Sequence, residues 1–242
     1  MIKKFNNFIN ENKNNNSKFN QIIDYTYLKM DANVDRIKQI CNEAKEFGFY
    51  SVCIKPDYVS YAKEFLKGSN VKVVTVISFP GGTDKTNDKI METERAIIDG
   101  ADEIDMVMNY KLLKKATNLS DDEKKNSKLD IIRNEISKIA RLCHGINSAI
   151  LKVIIESGEL TLEQTKLACE ICVEAGADFV KTSTGFAKKG AEEDKVKFMR
   201  KILPDSVKIK ASGGIRTLED IQRFVKAGAD RVGTSANPSL LN

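Results

Sequence analysis

The stretch EAGADFVKTST, residues 174–184, joins the end of a helical pattern to a short apolar run. Its Gly-Ala-Asp piece, 176–178, occurs twice more in the chain, at 100–102 and 228–230. Each copy lies between a helical pattern and an apolar run. A glycine in the left-handed conformation ends a helix readily, and the Ala-Asp that follows leads into the next strand. The three copies therefore predict a fold built from repeated helix–strand units.

Short apolar runs rich in β-branched residues recur along the chain and predict eight strands. The runs are IIDYTYL (22–28), SVCIKP (51–56), KVVTVIS (72–78), EIDMVMN (103–109), LKVIIE (151–156), FVKTST (179–184), KIKASGG (208–214) and RVGTS (231–235). Helical patterns lie between them. The segment 34–47 places its apolar residues on one helix face, and the segments that start at Thr161 and Thr217 open with capping boxes. The polar segment 114–128 is interpreted as a surface excursion.

Eight strand–helix units without a linker predict a single (β/α)8 TIM barrel over residues 21–242. The alternative is an open doubly wound sheet, which would carry a G-x-G-x-x-G loop after an early strand. The sequence has no such loop. Residues 1–20 are rich in Asn and Lys, and we expect them to form a short polar extension before the barrel domain.

Composition argues against several classes of protein. The net charge of +5 results from 39 basic and 34 acidic residues, without the long basic block that would indicate nucleic-acid binding. No stretch approaches the roughly 18–20 apolar residues of a membrane span, and the N-terminus lacks the apolar core of a signal peptide. We therefore expect a cytoplasmic protein that binds neither nucleic acid nor membranes.

Cysteine and histidine usage narrows the chemistry. The chain has five cysteines, an odd number that favours free thiols in a protein that is not secreted. Cys169 and Cys172 lie within a helical pattern, which favours packing over a redox or metal role. The only histidine is His144, which argues against a catalytic triad and against a histidine-based metal site. The remaining candidates for chemistry are carboxylates and lysines.

Polar side chains stand in the predicted strands, although barrel interiors are usually filled by branched apolar residues. The active site of such a barrel lies at the C-terminal ends of the strands, and residues two apart in a strand face the same way. The polar positions in or at the ends of the strands include Asp24, Thr26, Cys53, Asp105, Lys152, Lys181, Lys210 and Ser235. Several of these side chains are therefore expected to converge.

Glycines follow the last two strands, with Gly213 and Gly214 after the seventh and Gly233 near the end of the eighth. The loops after strands 7 and 8 form a common phosphate site in these barrels, because glycines let backbone N–H groups approach an anion. We therefore expect a small phosphorylated substrate. Arg216 either adds charge to this site or is a surface arginine at a helix start, and the sequence leaves both interpretations open.

Lys181 occupies a strand position at which a buried ammonium without a partner would be costly. A lysine becomes a nucleophile when desolvation or a nearby cation lowers its pKa. Lys210, on the adjacent strand, is placed to be that cation, and Asp105 could move protons on the substrate. Position alone leaves two roles open for Lys181, a nucleophile and a phosphate-binding charge.

A set of motifs along the chain resembles the 2-deoxyribose-5-phosphate aldolase family. The motifs are DYTYL (24–28), SVCIKP (51–56), ERAIIDGADEIDMVMN (94–109), LKVIIESGEL (151–160), DFVKTSTGF (178–186) and KASGGIRT (210–217). The resemblance implies a class I aldolase, a carbon–carbon lyase without metal or cofactor. Such an enzyme cleaves 2-deoxy-D-ribose 5-phosphate to D-glyceraldehyde 3-phosphate and acetaldehyde in deoxyribose phosphate catabolism. It also implies a homodimer.

By its motif, Lys181 resembles the Schiff-base lysine of the family, Asp105 the proton-relay acid, and Lys210 the second lysine that perturbs the first. Some members have a phosphate-contacting lysine directly after KTSTG, where this chain has Phe186. Strand position and resemblance together give the predicted substrate and phosphate contacts, which are Asp24, Thr26, Cys53, Lys152, Thr182, Gly185, Gly213, Gly214, Arg216, Gly233 and Ser235.

Two alternative functions remain at this point. The first is another Schiff-base barrel, such as a transaldolase or a sugar bisphosphate aldolase; a bisphosphate would need a second anion site, and the sequence shows no clear one. The second is a non-catalytic barrel that binds a phosphosugar and uses its lysines only to hold anions. The discriminating observation is borohydride reduction in the presence of acetaldehyde, for which the aldolase predicts a two-carbon adduct on Lys181.

Overall fold

The computed structural model describes residues 19–240, and eight parallel strands in that range close into one barrel. The strands are β1 (Ile23–Tyr27), β2 (Ser51–Ile54), β3 (Lys72–Ile77), β4 (Glu103–Val107), β5 (Ile150–Ile154), β6 (Phe179–Lys181), β7 (Lys208–Ser212) and β8 (Arg231–Thr234). Each strand pairs with its neighbours in sequence, and β1 closes the barrel against β8. The TIM-barrel prediction is confirmed. The predicted extension lies, up to residue 18, outside the described residues, and the domain boundary at residue 20 stays a prediction.

Eight α-helices that lie wholly within residues 21–240 surround the strands. They are α1 (Val34–Phe47), α2 (Val59–Phe65), α3 (Thr86–Ile98), α4 (Tyr110–Thr117), α5 (Asp122–Gly145), α6 (Leu162–Glu174), α7 (Glu193–Ile202) and α8 (Leu218–Lys226). The helix predicted over 34–47 and the capping boxes at Thr161 and Thr217 form as expected. Within this range, no helix combines the length and the apolar character needed to cross a membrane.

The segment 114–128, predicted as a polar surface excursion, lies largely at the surface, and most of it is helical. It contains the end of α4 and the start of α5, which both lie between β4 and β5. The carboxylate of Asp121 accepts a hydrogen bond from the backbone N–H of Lys124 and caps α5. Most residues of the segment 114–128 are exposed. A helix turn without a buried face carries no apolar period, and its sequence then resembles that of a loop.

The three Gly-Ala-Asp copies form the same joint. Each glycine has a positive φ, between 87° and 108°, and ends the preceding helix. Each aspartate carboxylate then accepts a hydrogen bond, 2.8 Å long, from a backbone N–H of the preceding strand. The pairs are Asp102 with Val73, Asp178 with Leu151, and Asp230 with Ile209. The carboxylate satisfies a backbone donor near the start of that strand and helps to fix the register between the two strands.

Inward-facing side chains fill the barrel in three tiers, each contributed by alternate strands. From the N-terminal to the C-terminal ends of the strands, the tiers are Ser51, Glu103, Phe179 and Arg231; then Asp24, Val74, Lys152 and Lys210; then Cys53, Asp105, Lys181 and Gly233. All of these residues are buried. Charged residues thus dominate an interior that apolar residues usually fill, while the apolar core lies between the strands and the helices.

Candidate active site

A cluster of buried charges lies in the upper half of the barrel interior, around Asp105. The Nζ atoms of Lys181 and Lys210 each lie 2.7 Å from Oδ2 of Asp105. Lys152 donates to the other carboxylate oxygen, Oδ1, at 2.8 Å. These three lysines come from β5, β6 and β7, which are successive strands, so the register of the barrel brings three ammonium groups onto one carboxylate.

The lysines control the ionisation of Asp105. Burial by itself would raise the pKa of this carboxyl, but Lys152, Lys181 and Lys210 together outweigh burial and hold the pKa well below its ordinary value. Burial would in turn lower the pKa of Lys210, yet the carboxylates of Asp105 and Asp24 raise it above the ordinary lysine value. Asp105 is therefore an anion and Lys210 a cation at neutral pH.

Lys181 differs from the other two lysines of the cluster. Burial lowers its pKa below the ordinary value; Asp105 opposes this effect and Lys210 adds to it. An ammonium group has three donors, but Asp105 is the one hydrogen-bond acceptor that residues 19–240 offer to Nζ of Lys181. A neutral amine is therefore reached at lower pH than for an ordinary lysine, which is the state that nucleophilic attack requires.

A cavity of about 260 Å³ opens above Lys181 at the C-terminal ends of the strands. Lys181 is the one lysine of the Asp105 cluster that reaches its wall. The predicted site residues that line the cavity are Thr26, Lys181, Gly185, Gly213, Gly214, Arg216, Gly233 and Ser235. The volume suits a small ligand, and the lysine lies at its inner end.

Other predicted residues lie beneath the cavity wall, and the structure does not bring them to it. They are Asp24, Cys53, Asp105, Lys152, Thr182 and Lys210. Thr182 donates from Oγ1 to the backbone carbonyl of Ser212 at 3.2 Å and so ties β6 to β7. Burial raises the pKa of the Cys53 thiol, which is therefore protonated at neutral pH. Direct substrate contact by these residues stays a prediction.

Glycines pack against one another where the predicted phosphate loops meet. Gly185, Gly213 and Gly214 have positive φ values of 83°, 90° and 81°. A Cβ at Gly213 would lie 2.9 Å from the Cα of Gly190, so no side chain fits at this position. The backbone of these loops is consequently accessible from the cavity, which favours an anion bound by N–H groups. Arg216 is exposed, lines the same cavity and lies two residues before α8.

Gly233 leaves space for a catalytic candidate. A Cβ at this position would lie 3.2 Å from Cε of Lys210 and 3.0 Å from Cβ of Ser212. The absence of a side chain in the upper tier of β8 therefore lets the Lys210 side chain extend towards Asp105. This role is steric and is separate from the phosphate contact that the sequence predicts for Gly233.

The sequence reasoning missed two charged residues of the lowest tier, Glu103 and Arg231. Nζ of Lys152 lies 2.5 Å from Oε2 of Glu103. Arg231 donates from Nη1 to Oδ1 of Asp24 at 2.9 Å and to Oε2 of Glu103 at 3.3 Å. The sequence contained a signal for Glu103. This residue stands two positions before Asp105 in the same strand, so its side chain faces the barrel interior as that of Asp105 does.

Glu156 is a third residue whose role the sequence did not indicate. It follows β5 with a φ of 50°, a left-handed conformation that is unusual for a residue other than glycine. Its Oε2 accepts a hydrogen bond from Oγ1 of Thr184 at 2.6 Å. Oγ1 of Thr184 in turn accepts from the backbone N–H of Phe186 at 3.1 Å. These bonds hold the loop that follows Lys181 in one conformation.

The interior carboxylates face cations. Nζ of Lys210 contacts the carboxylate of Asp24 as well as that of Asp105. In the part of the chain that the structure describes, no three side chains of His, Cys, Asp or Glu are grouped so that they could hold a metal ion. The lysines and carboxylates of the interior can perform amine and proton chemistry.

Comparison with known proteins identifies relatives over nearly the whole chain. A family model described as DeoC/LacD family aldolase matches residues 17–238. Deoxyribose-phosphate aldolase of Caldicellulosiruptor saccharolyticus is 46% identical over 222 residues, which cover 92% of this chain and 96% of that protein. The corresponding enzyme of Ureaplasma parvum serovar 3 is 44% identical over 226 residues, covering 93% and 99%.

A solved structure gives the same result for the fold. Deoxyribose phosphate aldolase from Aeropyrum pernix, described as tetrameric, is 30% identical and superimposes with a TM-score of 0.83. The superposition covers 93% of this chain and 90% of that one. Similarity therefore extends over the whole barrel, including all the strands that carry the Asp105 cluster.

Proposed function

The chain belongs to the DeoC/LacD family of aldolases, and on that premise we propose that it reversibly cleaves 2-deoxy-D-ribose 5-phosphate to D-glyceraldehyde 3-phosphate and acetaldehyde. The observation that carries the proposal is the state of Lys181, a buried lysine of lowered pKa at the inner end of a small cavity. The reaction is that of a class I aldolase, which needs neither metal nor cofactor, and it serves deoxyribose phosphate catabolism.

The first step is imine formation on Lys181. Its neutral amine attacks the C1 aldehyde of the open-chain sugar, and one proton passes from the nitrogen to the carbonyl oxygen. Loss of that oxygen as water, with one further proton, leaves an iminium ion between Nζ and C1. Before the attack, burial and the nearby positive charge of Lys210 lower the pKa of Lys181, which favours its neutral amine. Asp105 fixes both amines relative to the substrate.

The second step breaks the C2–C3 bond. Asp105 accepts the proton of the C3 hydroxyl through a water molecule, while the ammonium of Lys210 stays hydrogen-bonded to the same carboxylate, and C3 becomes the aldehyde carbon of D-glyceraldehyde 3-phosphate. The electron pair of the broken bond passes to the iminium and gives an enamine on Lys181. Return of the proton to C2, followed by hydrolysis of the imine, releases acetaldehyde and restores the amine, so protons and electrons balance over the cycle.

The phosphate lies at the glycine loops after β7 and β8. Backbone N–H groups around Gly213 and Gly214 bind it, and Arg216 supplies positive charge from the cavity wall. Phe186 stands where some relatives have a lysine, and its ring packs edge-on against Phe79, with 5.2 Å between the ring centres. Lys29, which lines the same cavity, is the second cation available to the phosphate.

Reductive trapping tests the proposed chemistry. The protein is incubated with acetaldehyde and sodium borohydride, and its peptides are mapped by mass spectrometry. We expect an adduct of two carbons on Lys181 and none at that position in K181R. The buried Lys89 serves as an internal control that stays unmodified. Adducts only at other lysines, or none at all while the phosphosugar still binds, would exclude a Schiff base on Lys181.

Removal of metal ions separates the proposal from a metal-dependent aldolase. Cleavage of 2-deoxy-D-ribose 5-phosphate is measured before and after dialysis against EDTA. Activity is expected to remain unchanged, because an iminium ion, and not a metal, accepts the electron pair. Loss of activity on chelation, with recovery on addition of a divalent ion, would contradict the class I assignment.

The remaining parts of the proposal concern the whole protein. Residues 21–242 form one aldolase domain and residues 1–20 a polar extension, the enzyme is a homodimer, and it acts in the cytoplasm. The composition supports the compartment, and the resemblance supports the dimer. Sedimentation equilibrium at micromolar concentration tests the dimer, and a mass of one or of four chains would contradict it.

A further inference from the structure

Three side chains close the N-terminal end of the barrel, and we call Tyr50, Glu103 and Arg231 the barrel floor. The guanidinium carbon of Arg231 lies 3.4 Å from the centre of the Tyr50 ring. The hydroxyl of Tyr50 donates to Oε1 of Glu103 at 2.9 Å. Glu103 is 1% exposed and Arg231 is 7% exposed. Two opposite charges are thus buried and held in one geometry, at the end of the barrel opposite the cavity.

Each charge of the floor reaches the Asp105 cluster through one further side chain. Glu103 contacts Nζ of Lys152, 2.5 Å away, and the same Nζ lies 2.8 Å from Asp105. Arg231 donates to Asp24 at 2.9 Å, and the carboxylate of Asp24 contacts Lys210. The floor is therefore connected to both groups that flank Lys181, by two separate chains of charged contacts.

The number of charges in the interior is consistent with the lowered pKa of Lys181. The three carboxylates are those of Asp24, Glu103 and Asp105, and each contacts at least one cation other than Lys181. The three cations Lys152, Lys210 and Arg231 already match these carboxylates in number. Protonation of Lys181 would add a fourth positive charge to a buried site, which low dielectric surroundings oppose.

We propose that Glu103 and Arg231 are positioning residues that set the protonation state of Lys181 through Lys152 and Asp24. The inference rests on the proposed function, since it assigns a use to the neutral amine. Glu103 favours the protonated form of Lys181 and Arg231 favours the neutral form, so loss of one charge has the opposite effect from loss of the other.

The groups around these residues are few. Glu103 faces Tyr50 from the start of β2, Lys152 from β5 and Arg231 from β8, and Arg231 also faces Asp24 on β1. Lys181 faces Asp105, Lys210 and the thiol of Cys53, and it also interacts electrostatically with the buried carboxylate of Glu156 after β5. Three further charged residues, Lys63, Lys72 and Asp102, line a cavity on the solvent side of the floor.

The test measures the rate of acetaldehyde trapping on Lys181 as a function of pH in E103Q, R231Q and the double variant. The trapping rate is proportional to the fraction of Lys181 that is a neutral amine. The rise of this rate on the acid side of the pH profile, here called the acid limb, therefore reports the pKa of Lys181. We expect the limb to move to lower pH in E103Q and to higher pH in R231Q, each by about 0.5–1 pH unit. In the double variant, where one charge of each sign is absent, the limb returns close to that of the parent protein.

E135Q is the matched control, because Glu135 is also a buried carboxylate paired with a lysine but lies outside the barrel interior. It is expected to lower the thermal stability without moving the limb. If the single variants do not fold, E103D is measured instead. This variant keeps the negative charge but places it one methylene group farther from Lys152. We expect its acid limb to move in the same direction as that of E103Q, by a smaller amount.

The outcomes separate this inference from the proposed function. Absence of any adduct on Lys181 in the parent protein overturns the proposed function, and the inference with it. Normal trapping in the parent, with limbs that do not move in the variants or that move in the same direction in E103Q and R231Q, overturns the inference alone. Opposite shifts that cancel in the double variant support it, because damage to the fold would not change sign with the charge removed.

Discussion

Two buried lysines of this protein stand in opposite situations. Lys89, on α3, donates to the carbonyls of Gly82 and Val107, both at 3.0 Å, and to Glu135 at 2.6 Å. Lys181, on β6, has a single acceptor in the described part of the chain, Asp105, and lines a cavity. Both side chains are almost without exposure to solvent. Burial alone therefore does not identify a catalytic lysine.

The difference lies in how many of the three ammonium donors are satisfied. All three donors of Lys89 have partners, and through them the side chain joins α3 to α5 and to the end of β4. Lys181 has one such partner among residues 19–240, and burial, together with the nearby Lys210, lowers its pKa. Saturation of donors marks a structural lysine, and an unsaturated lysine next to a cavity marks a reactive one.

The largest effect is expected for replacement of Lys181. K181M should lower kcat for cleavage of 2-deoxy-D-ribose 5-phosphate by at least about 10³-fold, because loss of a nucleophile removes the covalent route. The same variant should unfold at higher urea concentration, since a poorly compensated buried amine is replaced by an apolar side chain. Steady-state kinetics and urea titration check both. A variant that is active, or inactive and also less stable, would break the distinction between the two lysines.

The sequence predicts much of this arrangement but not all of it. The β-branched runs and the Gly-Ala-Asp joints predict the barrel, and parity within a strand predicts which side chains converge. Arg231 was missed because its partner Glu103 is 128 residues away, and such neighbours depend on strand register around the whole barrel. Lys89 was missed because a lysine on an amphipathic helix is normally solvent-exposed, and only the packing of α3 against α5 buries it.

The second largest effect is expected at the structural pair. E135Q leaves the ammonium of Lys89 buried without its counter-charge, and the expected loss of stability is about 3–5 kcal/mol. The kinetics of the folded fraction should match those of the parent protein, since the side-chain hydrogen bonds of Glu135 in the described residues are with Thr86 and Lys89, outside the Asp105 cluster. Urea unfolding and kcat/KM, both measured on the same preparation, check the two parts. A large loss of kcat/KM in protein that is fully folded would show that the two regions are coupled.

The pH dependence of the free energy of unfolding tests whether the pKa of Lys181 is lowered, which is central to its contrast with Lys89. The pKa of Lys181 is lower in the folded than in the unfolded chain, so the unfolded state binds more protons between that lowered pKa and about 10.4, the value for an unperturbed lysine. The penalty of the buried charge is therefore complete at lower pH and is relieved as the pH rises. K181M should exceed the parent protein in stability by more at about pH 6 than at about pH 10. A difference that stays constant or grows with pH would contradict a lowered pKa.

The smallest effect is expected when the structural pair is replaced as a whole. In K89M/E135L neither charge remains, and substitution of a buried ion pair by apolar residues of similar volume is often close to neutral. The carbonyls of Gly82 and Val107 still lose their donor, so we expect a residual loss of roughly 1–3 kcal/mol, less than that of E135Q. Urea titration of the three proteins in parallel decides the order. If the double variant were as unstable as E135Q, the carbonyl contacts of Lys89 would matter more than its charge, and saturation of its donors would stabilise a structural lysine more than its ion pair does.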